Sequence, residues 1–180
     1  MQHTNQHISN LLLRCKNGEQ SAQFEIYKSY YRAMYNTALR ILNNSFEAED
    51  MMQESFLIAF TKLGTFKGEV TFGSWLKRIV INKCLTQLKK NNRFEEVKLE
   101  VIKEDVEEEI IKNYEIKPQI ILETINGLKD NYRIALNLHL IEGYDYEEIS
   151  EIMNITYENS RTTVSRAKSK LRKLLTEKVV

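Results

Sequence analysis

Proline occurs once in 180 residues and glycine six times. So few breakers exclude a loop-rich or Pro-rich chain and favour long helices over sheet, the more so because Leu, Ile, Lys and Glu dominate. Only two cysteines are present, Cys15 and Cys84, far apart and without CxxC spacing. That excludes a thiolate cluster and points to free thiols in a reducing compartment, not to a disulfide. His3, His7 and His139 show no ligand spacing, so no metal and no cofactor is expected. No apolar run approaches the roughly 20 residues that span a bilayer. The start, Met1-Gln-His-Thr-Asn, has neither a charged lead nor an apolar signal core, so a soluble cytoplasmic protein without membrane insertion is expected. Catalytic patterns are missing as well: there is no GxSxG, P-loop, HExxH or Cys-His constellation. Neighbouring carboxylates such as Glu49–Asp50 and Glu147–Glu148 point apart on a helix. The chain does not read as an enzyme.

What is present is charge segregation. The net charge of +1 hides it. Residues 62–93 carry eight basic and one acidic residue, a net of +7, while 94–125 carry four and ten, a net of −6. Within 158–178 the count is seven basic to two acidic. Two basic patches thus flank an acidic stretch, and each patch attracts phosphate whatever the total charge.

Helical periodicity organises the chain. Ile8, Leu11, Leu12 and Cys15 begin one stripe that Gly18 ends, and Ser21 is placed to cap the next. Phe24, Tyr27, Tyr31, Met34, Tyr35, Ala38 and Leu42 recur at three and four. Asn43-Asn44-Ser45 makes a turn with a cap before a helix over about 46–63. Gly64 to Ser74 reads as a loop, and Trp75 to about Asn91 as a helix burying Leu76, Ile79, Val80, Cys84 and Leu88. The fold class is all-α: a four-helix N-terminal domain (1–93), an acidic linker (94–119), and a C-terminal helix-turn-helix domain (120–180). In the last, Leu128, Tyr132, Leu136 and Leu140 step by four, Gly143 ends a helix, and Asn154 sits at a turn where Asn tolerates a left-handed backbone.

Two short helices joined by a short turn, the second one basic, suit the major groove. Tyr157, Glu158, Asn159, Thr162, Thr163 and Arg166 are the candidate base readers, with Arg161 and Lys168 near phosphates. A plain basic helix ending a bundle would show the same charges. In the N-terminal block, Phe66, Phe72 and Trp75 offer stacking faces, Gly68 and Gly73 allow close approach, and Lys67, Lys77, Arg78 and Lys83 surround them. Rings plus cations suit single-stranded nucleic acid, although the same rings also suit a core. The acidic side Glu47, Asp50, Glu54 beside Gln53 and Leu57 is either a solvated face or a protein-docking one.

Three motifs in this order, Ala48-Glu-Asp-Met-Met-Gln-Glu-Ser-Phe56, Phe66-Lys-Gly-Glu-Val-Thr-Phe-Gly-Ser-Trp75-Leu-Lys-Arg-Ile-Val-Ile-Asn82, and Ile149-Ser-Glu-Ile-Met-Asn-Ile155 with Ser165-Arg-Ala-Lys168 and Leu171-Arg172, are together specific. The chain resembles the extracytoplasmic-function class of bacterial RNA polymerase sigma factors from about Leu12 to Leu175. The resemblance implies core RNA polymerase and promoter DNA as partners, and many relatives add an anti-sigma factor. It implies that Asp50, Gln53, Glu54 and Leu57 bind the polymerase clamp, and that the Phe66–Trp75 loop holds an extruded −10 base. It implies that Arg78, Asn82 and Lys83 face the −10 region, that the acidic linker threads toward the polymerase active-site and RNA-exit channels, and that the last helices read the −35 element. One departure stands out: relatives often open the reading helix with Gly-Thr-Val-Lys-Ser-Arg, where this chain has Glu158-Asn-Ser-Arg-Thr-Thr163. The rival expectation is a helix-turn-helix regulator whose N-terminal domain senses a signal or dimerises.

Overall fold

The computed structural model describes residues 2–91 and 116–179. Those residues form eight α-helices and no strand: α1 (Gln2–Lys16), α2 (Gln20–Leu42), α3 (Ser45–Thr61), α4 (Phe72–Lys90), α5 (Pro118–Asn126), α6 (Asp130–Leu136), α7 (Tyr146–Met153) and α8 (Tyr157–Val179). The chain divides into two compact units, Met1–Gln87 and Leu88–Val180. Most of the predicted linker lies outside the described residues. Its last two residues, Pro118 and Gln119, open α5 instead, where the missing proline N–H costs no helical bond.

In the first unit, α1 ends at Gly18, whose φ of +81° lies in the left-handed region. Ser21 does not cap α2. Glu19 holds the N-cap place, and the Ser21 hydroxyl donates to Glu19 Oε1 at 2.7 Å. The Arg14 guanidinium also donates to Glu19, through Nε at 2.8 Å, and with Ser21 it holds this carboxyl down at about 2. Asn44 caps α3 as predicted, its side chain accepting from the Phe46 and Glu47 N–H groups at 3.0 and 3.1 Å. Such a cap contributes about 1 kcal/mol. Helices α2 and α3 meet through the Tyr27 and Phe56 rings, 4.9 Å apart. The predicted stripe of α2 is partly outside, because Phe24 is 60% and Tyr31 43% exposed. Ile26, Met34, Ala38, Ile41 and Leu42 carry the core there.

Helix α4 starts three residues earlier than the sequence predicts. The Thr71 hydroxyl accepts from the Ser74 N–H at 3.1 Å and the Thr71 carbonyl from the Trp75 N–H at 3.0 Å, so Phe72-Gly-Ser is its first turn. Leu76, Val80, Ile81, Cys84 and Leu85 are buried, while Ile79 is only half-buried. Burial pushes the Cys84 thiol up to about 12.

In the second unit, Ile125, Leu128, Leu136, Ala167, Leu171 and Leu175 form one core cluster. Each such side chain contributes roughly 1.5–3 kcal/mol when fully buried. The predicted four-residue step fails at Leu140. After α6 the helix widens over Asn137–Ile141, with the Glu142 N–H bonded to the Asn137 carbonyl at 3.0 Å, so Leu138 turns inward and Leu140 is left 48% exposed. Helix α7 opens with a capping box: Asp145 Oδ1 accepts from the Glu148 N–H at 2.8 Å and Glu148 Oε2 from the Asp145 N–H at 3.0 Å. It ends at Asn154 in the left-handed conformation, φ 55°. Lys178 Nζ then donates to Thr124 Oγ1 at 3.0 Å, tying the end of α8 to α5.

Candidate nucleic-acid interface

Spacing on α3 brings Phe46, Asp50, Gln53 and Leu57 onto one outward ridge, with Glu54 on its flank. Leu57 is 67% and Phe46 83% exposed. The sequence reading missed Phe46, although its place four residues before Asp50 was the available signal. Asp50, Gln53 and Glu54 are exposed too, and Gln53 Nε2 donates to Glu49 Oε1 at 3.2 Å. Glu54 also faces α4, with its Oε2 2.5 Å from Lys83 Nζ.

The loop between α3 and α4 is held by rings. Phe66 lies 5.8 Å from Phe72 and 5.3 Å from Trp75, Phe72 lies 5.7 Å from Trp75, and Tyr30 meets Phe72 at 5.4 Å. Phe72 is buried at 3% exposure and so is no stacking face; it anchors the cluster. Gly73 likewise serves packing and not ligand approach, because a Cβ there would stand 3.0 Å from Tyr30 Cε1. Phe66 and Trp75 are half-buried and keep part of each ring outside. Between them Lys67, Gly68, Glu69, Val70 and Thr71 are exposed, and Gly68 permits the turn with φ +78°.

Along α4, Trp75, Arg78 and Asn82 share one side at helical spacing, Asn82 being exposed and Arg78 half-buried. Lys83 is half-buried against Glu54. Lys77 shares the side of Cys84, seven residues on, so it stands apart from Arg78 and Asn82 and does not join their patch.

In the second unit the Ser160 hydroxyl donates to the Tyr146 carbonyl at 2.7 Å, fixing the start of α8 against the start of α7. Ser160, Thr163, Val164 and Ala167 are buried. Thr163, predicted as a base reader, is 2% exposed and packs on the inward side, so it meets no base. Tyr157, Glu158 and Arg161 are exposed, and Asn159, Thr162, Arg166 and Lys168 half-buried. The Arg161 guanidinium lies over the Tyr157 ring at 5.9 Å. The arrangement offers a polar, net-basic outer face on the second helix of a helix-turn-helix.

Sequence comparison matches residues 26–94 to sigma-70 region 2 and residues 119–171 to sigma-70 region 4. The chain belongs to the sigma-70 family. The region 2 match decides against a helix-turn-helix regulator with a sensing domain. This sigma factor is 28% identical to RNA polymerase sigma-H factor of Pseudomonas aeruginosa, over 96% of this chain and 95% of that one. It is 28% identical to ECF RNA polymerase sigma factor SigW of Bacillus subtilis, over 93% and 96%. Similar relatives of this kind place the sigma factor in the extracytoplasmic-function class. Two solved sigma factors share its fold. One is RpoE of Bartonella quintana in complex with the anti-sigma factor NepR, with TM-score 0.59 and 22% identity over 84% of this chain and 95% of that one. The other is CnrH with the cytosolic domain of CnrY, with TM-score 0.56 and 20% identity over 93% and 96%. As a sigma factor, the chain acts in transcription initiation, with core RNA polymerase and promoter DNA as its partners. No helix of the described residues is long and apolar enough to cross a membrane.

Proposed function

We propose that the sigma factor divides its work among three surfaces. The α3 ridge of Phe46, Asp50, Gln53 and Leu57, flanked by Glu54, docks on the polymerase clamp through two apolar anchors among carboxylates. The exposed loop 67–71, with Phe66, Trp75, Arg78 and Asn82 at its base, receives unpaired bases of the −10 element. The outer face of α8 reads the −35 duplex through Tyr157, Glu158, Asn159, Arg161, Thr162 and Arg166, with Lys168 near the backbone.

The observation that carries this reading is the ring cluster. Phe66, Phe72 and Trp75 clamp both ends of a solvent-facing loop, so the loop is positioned before DNA arrives. Extruding a base costs a few kcal/mol in lost stacking and pairing. Stacking on a protein ring returns roughly 1–3 kcal/mol per base. Capture then drives opening, and the sigma factor itself turns over no substrate. It works in the cytoplasm with the polymerase. Anti-sigma control is part of the proposal, because the RpoE and CnrH structures each hold a sigma factor in complex with such a partner or its candidate counterpart. The test is run-off transcription from genomic DNA by core enzyme with and without this chain. Discrete transcripts that depend on the chain support the reading; their absence from every template refutes it.

A further inference from the structure

We propose that Glu158 is a specificity-determining residue that reads a cytosine through its N4 amino group in the upstream promoter duplex. This rests on α8 being the duplex-reading helix. Burial of Ser160, Thr163 and Val164 leaves Tyr157, Glu158, Arg161 and Thr162 as the chief outward groups of its first two turns. Their chemistries differ. Thr162 gives its single hydroxyl proton to the Glu158 carbonyl at 2.8 Å, so it offers a base only a methyl group and lone pairs. Arg161 carries donors only, and its guanidinium lies over the Tyr157 ring. Glu158 is exposed and acceptor-only. Among the described residues no ion pair holds its carboxylate, not even with Arg161 three residues on.

A lone carboxylate carried into a groove walled by phosphates is repelled unless a base donor meets it. In the major groove the cytosine N4 amino group is the donor that suits Glu, whereas the amide of Asn or Gln pairs with adenine N6 and N7. A carboxylate in a first helical turn also favours the helix dipole. That effect is blind to DNA sequence, so the two roles separate by experiment.

The test uses holoenzyme assembled from core polymerase and the full chain, selecting from duplex DNA randomised in the upstream element. Wild type is expected to favour cytosine at one position by roughly tenfold. Glu158→Gln is expected to move that preference to adenine, and Glu158→Ala to flatten it, with every other position unchanged. If both variants keep the wild-type base everywhere, Glu158 reads nothing and the proposal is overturned. If wild type selects no upstream sequence at all, the duplex-reading role of α8 fails first, and the proposal falls with it.

Discussion

Lys83 Nζ stands 2.5 Å from Glu54 Oε2, so a residue of the proposed DNA face is tied to one on the flank of the proposed polymerase ridge. Both side chains are substantially exposed, and a pair of this kind contributes at most about 1 kcal/mol. A partner that claims Glu54 frees Lys83 for phosphate. Glu54→Gln is therefore expected to raise the affinity of the sigma factor alone for a single-stranded oligodeoxynucleotide, by no more than about fivefold. It is also expected to weaken co-purification with core polymerase. Fluorescence anisotropy at low salt checks the first effect, and unchanged binding would contradict the coupling.

Phe72 and Lys67 are expected to fail in opposite ways. Phe72→Ala empties a buried ring site and should cost about 3–5 kcal/mol of stability. Lys67→Ala should leave the melting temperature unchanged and lower the slope of log affinity against log salt by about 1, since Lys67 is exposed. Calorimetry paired with salt-titrated promoter binding distinguishes them. A normal slope for the Lys67 variant removes that residue from the phosphate path.

Thr163 and Arg166 make a second such pair. Thr163→Ala should lower the melting temperature of the second unit and leave base preference intact, because the side chain is buried. Arg166→Ala should weaken duplex binding with little loss of stability, given its half-exposed place on the outer side of α8. Band shifts with a −35 duplex, read against circular-dichroism melts, decide the matter.

Glu19 gives a pH signature. Its carboxyl is held at about 2, below the ordinary 4.5, chiefly by the Arg14 guanidinium and then by Ser21. A lowered value means the contact stabilises the fold above pH 4.5 and is lost as pH falls from there through about 2. Glu19→Gln should therefore flatten the acid limb of the melting curve in that window. An acid limb unchanged by the substitution would assign the loss to other groups.

Much of this architecture is legible in the residues. Asn44 as a cap, Gly18 and Asn154 as stops, and the order of acidic helix, ring loop and basic helix follow from local chemistry. What is not legible depends on neighbours distant in sequence. Phe72-Gly-Ser looks like loop until the Tyr30 ring is known to lie where a Cβ at Gly73 would go. Leu140 keeps its period in the sequence and loses it in space because the helix widens at Asn137. Thr162 and Thr163 are identical in kind, and only the packing of α7 against α8 turns one outward and buries the other.

The central claim is that the loop and α4 seize unpaired DNA while α8 holds the duplex upstream. Permanganate footprinting of a promoter bound by core enzyme plus this chain tests it most directly. With no hydrolysable nucleotide present, thymines of the −10 non-template strand are expected to become reactive with the wild-type chain. Their reactivity is expected to fall when Lys67, Arg78 and Asn82 are changed together to Ala. Thymines that stay unreactive with wild type, or react equally with the triple variant, would contradict the account.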